Sequence, residues 1–219
     1  MKNLTALLKL ENSFIVRYWK YVLMFFGIAA LMGIVQNGIS FMFTLMIFAA
    51  TLTLFAFEFA EKSNLNVLYG TLPTNRGSIV SAKYLYMVII LIASATVALL
   101  GAIIFEVAFG RTMNTTEVFA VLAMAIGIYL LFTAWNTPFM FKLGYIKGRI
   151  FFWVFIAAIM IVFFLEPLLG AFNIDISFNI FLIAFGDVVL TSMIALAIGV
   201  VAFIISYFVS QRIYRNKDF

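Results

Sequence analysis

Six stretches of this chain are apolar almost without interruption: Tyr21 to Val35, Ile39 to Phe57, Tyr84 to Phe109, Val118 to Phe141, Phe151 to Leu165 with apolar residues continuing toward Phe172, and Val188 to Val209. About 20 helical residues cross the hydrocarbon core of a bilayer, so runs of this length read as membrane-spanning helices. Membrane strands would alternate apolar and polar, and an open sheet would leave backbone groups unsatisfied in hydrocarbon. The expected fold is therefore all-α: a polytopic membrane protein with six transmembrane helices. With 66% of its 219 residues hydrophobic and only 11% charged, the composition fits no soluble domain. Six spans leave no room for a folded catalytic or nucleotide-binding domain outside the bilayer. Residues 1–219 read as a single domain without internal repeat or low-complexity linker.

Lysine and arginine set the orientation, because cytoplasmic loops retain them. They fall in the N-terminal segment (Lys2, Lys9, Arg17, Lys20), the second-to-third connection (Lys62, Arg76, Lys83), the fourth-to-fifth (Lys142, Lys147, Arg149) and the tail (Arg212, Arg215, Lys217). Of the 14, Arg111 alone lies on the other side, in the company of Glu106, Glu117, Glu166, Asp175 and Asp187. The N- and C-termini are thus expected in the cytoplasm, with Trp19, Trp135 and Trp153 in the inner aromatic belt. The start of the chain lacks a small-residue cleavage site, so no cleaved signal is expected. The pI near 9.5 reflects basic residues facing anionic lipid along one membrane face, not a nucleic-acid surface.

Cysteine and histidine are absent. That excludes disulfides, thiolate and imidazole metal sites, Cys and His nucleophile–base pairs and the His-Glu-x-x-His metalloprotease motif. A P-loop is also missing, so an enzyme is not expected, nor any metal or cofactor in this chain. No charged residue falls near the centre of a span, where a proton- or sodium-coupled transporter commonly keeps a carboxylate. An external energy source fits better. Glu106 lies about 33 Å along the third span at 1.5 Å per residue, which predicts a solvated residue at the outer interface.

Two cytoplasmic segments are organised. Residues 1–20 place Leu4, Leu7, Leu8, Phe14, Ile15 and Tyr18 at helical spacing with basic residues opposite, the pattern of an interfacial helix on lipid headgroups. Between the second and third spans, Leu65, Leu68, Tyr69 and Leu72 form a short apolar stripe stopped by Pro73, with Thr74 or Ser78 available to cap the third span. Such a stripe suits a helix pressed into a groove on a cytoplasmic partner, or an amphipathic loop lying on lipid. Gln36, Asn37 and Gly38 make a tight outer hairpin.

The run Leu68-Tyr69-Gly70-Thr71-Leu72-Pro73-Thr74-Asn75-Arg76-Gly77-Ser78-Ile79-Val80-Ser81-Ala82-Lys83-Tyr84-Leu85 resembles the "short helix, Leu-Pro, polar, Arg, Ile-Val-x-x-Lys-Tyr" segment of bacterial type-2 ABC transporter permeases. It is similar in particular to the small six-span permeases that include the phenol-soluble-modulin exporter subunits. An N-terminal interfacial helix, six spans and a basic tail extend the likeness over nearly the whole chain. The resemblance implies a multi-pass subunit of a bacterial cell membrane, paired with a second permease copy, identical or related, and with two cytoplasmic P-loop ATPase subunits that bind ATP and Mg. It makes residues 64–72 the coupling helix, with Leu65, Leu68, Tyr69, Leu72, Pro73 and Arg76 at the ATPase contact. The family also has short broken helices on the outer side, for which 166–187 is the matching segment: Glu166-Pro167 interrupts the apolar run, and Gly170, Asn173, Asp175, Asn179, Gly186 and Asp187 punctuate the stretch leading to the last span.

Candidate pathway or gate residues are Asn136, Thr137 and Pro138 in the fourth span, together with Glu166 and Asp187. Pro138 frees a backbone carbonyl that a neighbouring hydroxyl can satisfy, so a structural kink is the first reading and a gate the second. Thr44, Thr51 and Thr53 fit either an interface between permeases or bonds to their own helix. The 27 phenylalanines and 11 methionines are first of all lipid-facing surface, and only second an adaptable surface for apolar cargo. The expected function is export of an amphipathic peptide or hydrophobic compound. Two alternatives are a six-span substrate-binding subunit of a vitamin-type importer and a non-transport membrane immunity factor.

Overall fold

The computed structural model describes residues 18–63, 76–110, 114–171 and 188–216. These form five helices: α1 (Trp19–Val35), α2 (Gly38–Lys62), α3 (Arg76–Ala108), α4 (Thr115–Ala171) and α5 (Val188–Arg215), with no strand among the described residues. Four helices are long and apolar enough to cross a membrane, and α1 is a shorter apolar helix. The expected interfacial helix at 1–20 lies almost wholly outside the described residues, and its last two residues, Trp19 and Lys20, already belong to α1.

The α1–α2 hairpin forms as its sequence demands. Asn37 is extended at φ −169°, and its side chain accepts a hydrogen bond from Ser40 N at 2.8 Å, satisfying one of the free N–H groups that open α2. The two helices then run antiparallel on stacked aromatics, with Phe25 on Phe48 at 4.5 Å and Tyr18 against Phe55 and Phe59 at the far end. Many phenylalanines expected to face lipid are therefore helix-to-helix contacts.

Helix α3 begins well ahead of the apolar run. Ile79, Val80 and Ala82 are buried, so the turns holding Ser78, Ser81 and Lys83 are drawn into helix by packing. Ser78 lies inside α3 rather than capping it. Lys83, expected in a connection, is buried in α3 with Nζ 4.5 Å from the centre of the Phe57 ring.

The connection expected between the fourth and fifth spans contracts to one residue. Gly144, at φ 78° and ψ 174°, is the non-helical point within α4. The chain reverses there: Phe132 and Phe152 are 5.6 Å apart and Phe139 and Phe151 4.1 Å apart, whereas a straight helix would separate the first pair by about 30 Å. The second arm runs helically through Glu166 and Pro167 to Ala171, which corrects the break expected at that pair. A single proline removes one helical hydrogen bond and need not end a membrane helix. The remainder of the 166–187 segment, Asp187 included, lies outside the described residues.

The first arm of α4 and α5 are parallel and meet repeatedly, at about two-turn intervals: Gly127 at Gly199, Ala134 at Ser206, Phe141 at Tyr214. These recurring contacts are the seam between the two helices. At its tightest point a Cβ on Gly127 would stand 2.6 Å from Ala195 O, and one on Gly199 2.6 Å from Gly127 O, so only glycine permits this approach. Phe41, Met42, Met46, Val80, Met87 and Tyr129 are essentially inaccessible, giving a core where α2, α3 and the first arm of α4 meet. Outward-facing residues such as Ile104, Val201 and Phe208 form an apolar exterior, on which Trp19, Trp135 and Trp153 are exposed. The start of α1, the end of α2, the start of α3, the turn of α4 and the end of α5 share one end of the bundle. This basic end carries Lys20, Lys62, Lys83, Lys142, Lys147, Arg149, Arg212 and Arg215.

Candidate functional site: polar ties at the basic end

Of the residues that sequence pointed to, Leu65, Leu68, Tyr69, Leu72 and Pro73 lie outside the described residues, and Arg76 is the first residue of α3. Both flanks of the 64–75 segment are described, and both are tied to α4 by polar contacts.

On the α2 flank, Glu61 Oε2 accepts hydrogen bonds from Tyr145 N and, at 3.3 Å, from Ile146 N. These N–H groups open the second arm of α4, so the carboxylate caps a helix N-terminus whose dipole favours negative charge. Gly144 makes the geometry possible twice over. Its positive φ suits glycine, and a Cβ there would come within 3.0 Å of Glu61 Oε2. One turn earlier Glu58 pairs with Lys62. Glu61, Lys83, Gly144, Tyr145 and Tyr214 border a cavity of about 30 Å³, room for one water molecule.

On the α3 flank, the carbonyl left without its helical donor by Pro138 is that of Ala134, and it finds a substitute: Ser206 Oγ of α5 donates to Ala134 O at 2.8 Å. Tyr84 OH lies 2.7 Å from Ser206 Oγ and 2.9 Å from Ser210 Oγ. Each hydroxyl has one proton. Ser206 gives its proton to the carbonyl, so Tyr84 must donate to Ser206, and Ser210 to Tyr84. The directed chain Ser210 to Tyr84 to Ser206 to Ala134 O joins α5, α3 and α4. A second chain lies one turn nearer the basic end. Gln211 Nε2 donates to Tyr207 OH at 2.7 Å, Tyr207 to Ser81 Oγ at 2.9 Å, and Ser81 to Gly77 O at 3.0 Å.

Asn136 and Thr137 are fully buried and bond mostly within α4: Asn136 Nδ2 to Phe132 O at 2.9 Å and Thr137 Oγ1 to Thr133 O at 2.6 Å, with Met87 Sδ also 3.8 Å from Thr137 Oγ1. Asn136 Oδ1 is buried without a hydrogen-bond partner among the described residues. Pro138 borders a groove of about 370 Å³ with Trp135, Phe139, Ile205 and Val209. Thr51 and Thr53 donate to Phe48 O and Ala50 O of their own helix. α4 stays helical through Asn136, Thr137 and Pro138, and Glu166 lies far along the chain from them.

Glu106 corrects its expectation. It is 6% exposed, and Oε1 accepts from Gly38 N at 2.7 Å, capping α2 at the end opposite the basic one. Rise per residue located it along the helix correctly but could not reveal that the α1–α2 hairpin covers it. Sequence reasoning also passed over Glu61, grouped with a loop, and the Ser206-x-x-x-Ser210 and Tyr207-x-x-x-Gln211 pairs. Their i, i+4 spacing within an apolar run was the available signal.

The profile of the ABC-2 family of transporter proteins matches residues 7–215, nearly the full length of this all-helical, basic-ended bundle. The chain belongs to the ABC-2 transporter family. As an ABC-2 permease it is the membrane subunit of an ABC transporter, a transport rather than a catalytic component, and the family implies association with ATP-binding subunits. Neither a curated protein nor a solved structure matches the permease.

Proposed function

We propose that this ABC-2 permease exports an amphipathic peptide or hydrophobic compound across a bacterial plasma membrane, driven by ATP and Mg bound in separate cytoplasmic P-loop ATPases. α1, α2, α3, the two arms of α4, and α5 are its six spans. The basic end faces the cytoplasm together with both termini, in keeping with retention of lysine and arginine on that side. Residues 64–72 are the coupling helix, with Leu65, Leu68, Tyr69, Leu72, Pro73 and Arg76 at the ATPase contact. A second permease, identical or related, completes the transport cavity.

The observation that carries this reading is the family match over residues 7–215, and the structure adds mechanical sense to it. A segment that takes up work must be fastened at both ends. Here α2 is clasped to the α4 turn through Glu61, and α3 to α4 and α5 through Tyr84. The test is co-purification with the P-loop ATPase. Replacing Leu68, Tyr69 and Leu72 together by Asp abolishes the complex while the permease still inserts; an intact complex would defeat the coupling assignment.

A further inference from the structure

Resting on the permease reading, we infer that Tyr84 and Ser206 are transmission residues: the hydroxyl chain that ends on the Pro138-orphaned carbonyl of Ala134 is the joint through which movement of α3 reaches α4 and α5. Three observations converge. First, Tyr84 is 4% exposed and lies two turns into α3, the helix that leads directly out of the 64–75 segment. Displacement of that segment therefore passes Ser81 and arrives at Tyr84 before it reaches the greater part of α3.

Second, the chain has one allowed direction and register. Apolar packing lets helices slide and rotate at little cost. Three hydroxyls whose protons are all committed, ending on a carbonyl with no helical donor, do not. If α3 shifts away from α5, Ser206 loses the donor that supports it. If α5 moves off α4, the carbonyl of Ala134 is left bare inside a buried helix.

Third, the receiving point is a place where the first arm of α4 lacks a ladder bond. Pro138 has removed a ladder bond, and Asn136 Oδ1, two residues away, is a buried acceptor that this arrangement leaves unsatisfied among the described residues. Movement delivered to the Ala134 carbonyl acts where the α4 ladder already lacks a donor, beside the groove lined by Trp135, Pro138 and Phe139.

The experiment uses the intact complex with its ATPase in lipid nanodiscs. Because the permease has no natural cysteine, Trp135→Cys places a single thiol at an exposed position on this groove. Its rate of maleimide labelling is compared between the nucleotide-free and ATP–vanadate-trapped states. The parent shows a rate difference between the states. Adding Tyr84→Phe, which removes the donor to Ser206 and keeps the ring, abolishes that difference while ATP hydrolysis continues. If the parent itself shows no difference, nucleotide does not move α4 and the permease mechanism fails together with the joint. If the parent responds and Tyr84→Phe responds equally, the joint alone is overturned.

A second pair separates transmission from support. Ser206→Ala strips the Ala134 carbonyl, and Pro138→Ala returns it to the ladder of α4. The double variant regains the thermal stability lost in Ser206→Ala but not the nucleotide-dependent labelling. Recovery of both would mean that Ser206 only satisfies a carbonyl, and would overturn the proposal.

Discussion

At the residue scale, two carboxylates serve as ties between distant segments. Glu106 and Glu61 each place a charge on the free N–H groups of another helix, where dipole and hydrogen bonds act together. Replacing Glu106 by Ala leaves Gly38 N buried without an acceptor, a cost of about 1–3 kcal/mol. Thermal unfolding in detergent is expected to show a clear fall in Tm for Glu106→Ala and a smaller one for Glu106→Gln, whose amide oxygen still accepts. Equal falls would mean that the charge, rather than the hydrogen bond, holds the hairpin. None of this was legible in the sequence, because Glu106 and Gly38 are 68 residues apart and nothing local marks them as partners. The Pro138 carbonyl is the opposite case: a missing N–H is written in the sequence, and the need for an outside donor follows from it, though not that Ser206 supplies it.

At the element scale, apolar runs announced the helices because hydrocarbon length and continuous hydropathy are local properties. Their ends were less legible. α3 reaches back to Arg76 because Ile79, Val80 and Ala82 find a core, and α4 turns on Gly144 because Glu61 receives the next two N–H groups. A run of lysines and arginines looks the same whether it forms a loop or flanks a one-residue turn. The parallel seam between α4 and α5 was equally hidden, since its glycines are separated by most of the second arm of α4 and the segment beyond it. Gly199→Leu pushes a side chain into the Gly127 carbonyl, 2.6 Å from where its Cβ would begin, and forces the helices apart. Overpacking of this kind costs about 1–3 kcal/mol or more. Because Ser206 and Ala134 lie one heptad further along the same seam, the Ser206 bond is expected to weaken with it. Faster trypsin cleavage after Arg212 or Arg215 in Gly199→Leu would report that loosening; an unchanged cleavage rate would show that the crossing accommodates bulk.

At the scale of the whole molecule, the family match makes the chain an ABC-2 permease, and the proposed function has its basic end meet the ATPase. In the proposed mechanism, the two polar ties spread work done on the 64–75 segment to α2, α3, α4 and α5. The resemblance of the Leu68–Leu85 run pointed to the family that the match over residues 7–215 shows. The ties themselves depend on contacts between residues 72 or more positions apart, and no reading of a single run can supply those.

The most direct measurement exploits the absence of cysteine. Tyr69→Cys, in the complex with the ATPase, is treated with a short bifunctional thiol–amine reagent on the inner side and, separately, with a membrane-impermeant maleimide applied to intact cells. Residue 69 is expected to cross-link to the ATPase with a yield that changes on ATP binding, and to stay unlabelled from outside. Labelling from outside, or a complex that forms normally yet never cross-links at this position, would contradict the account.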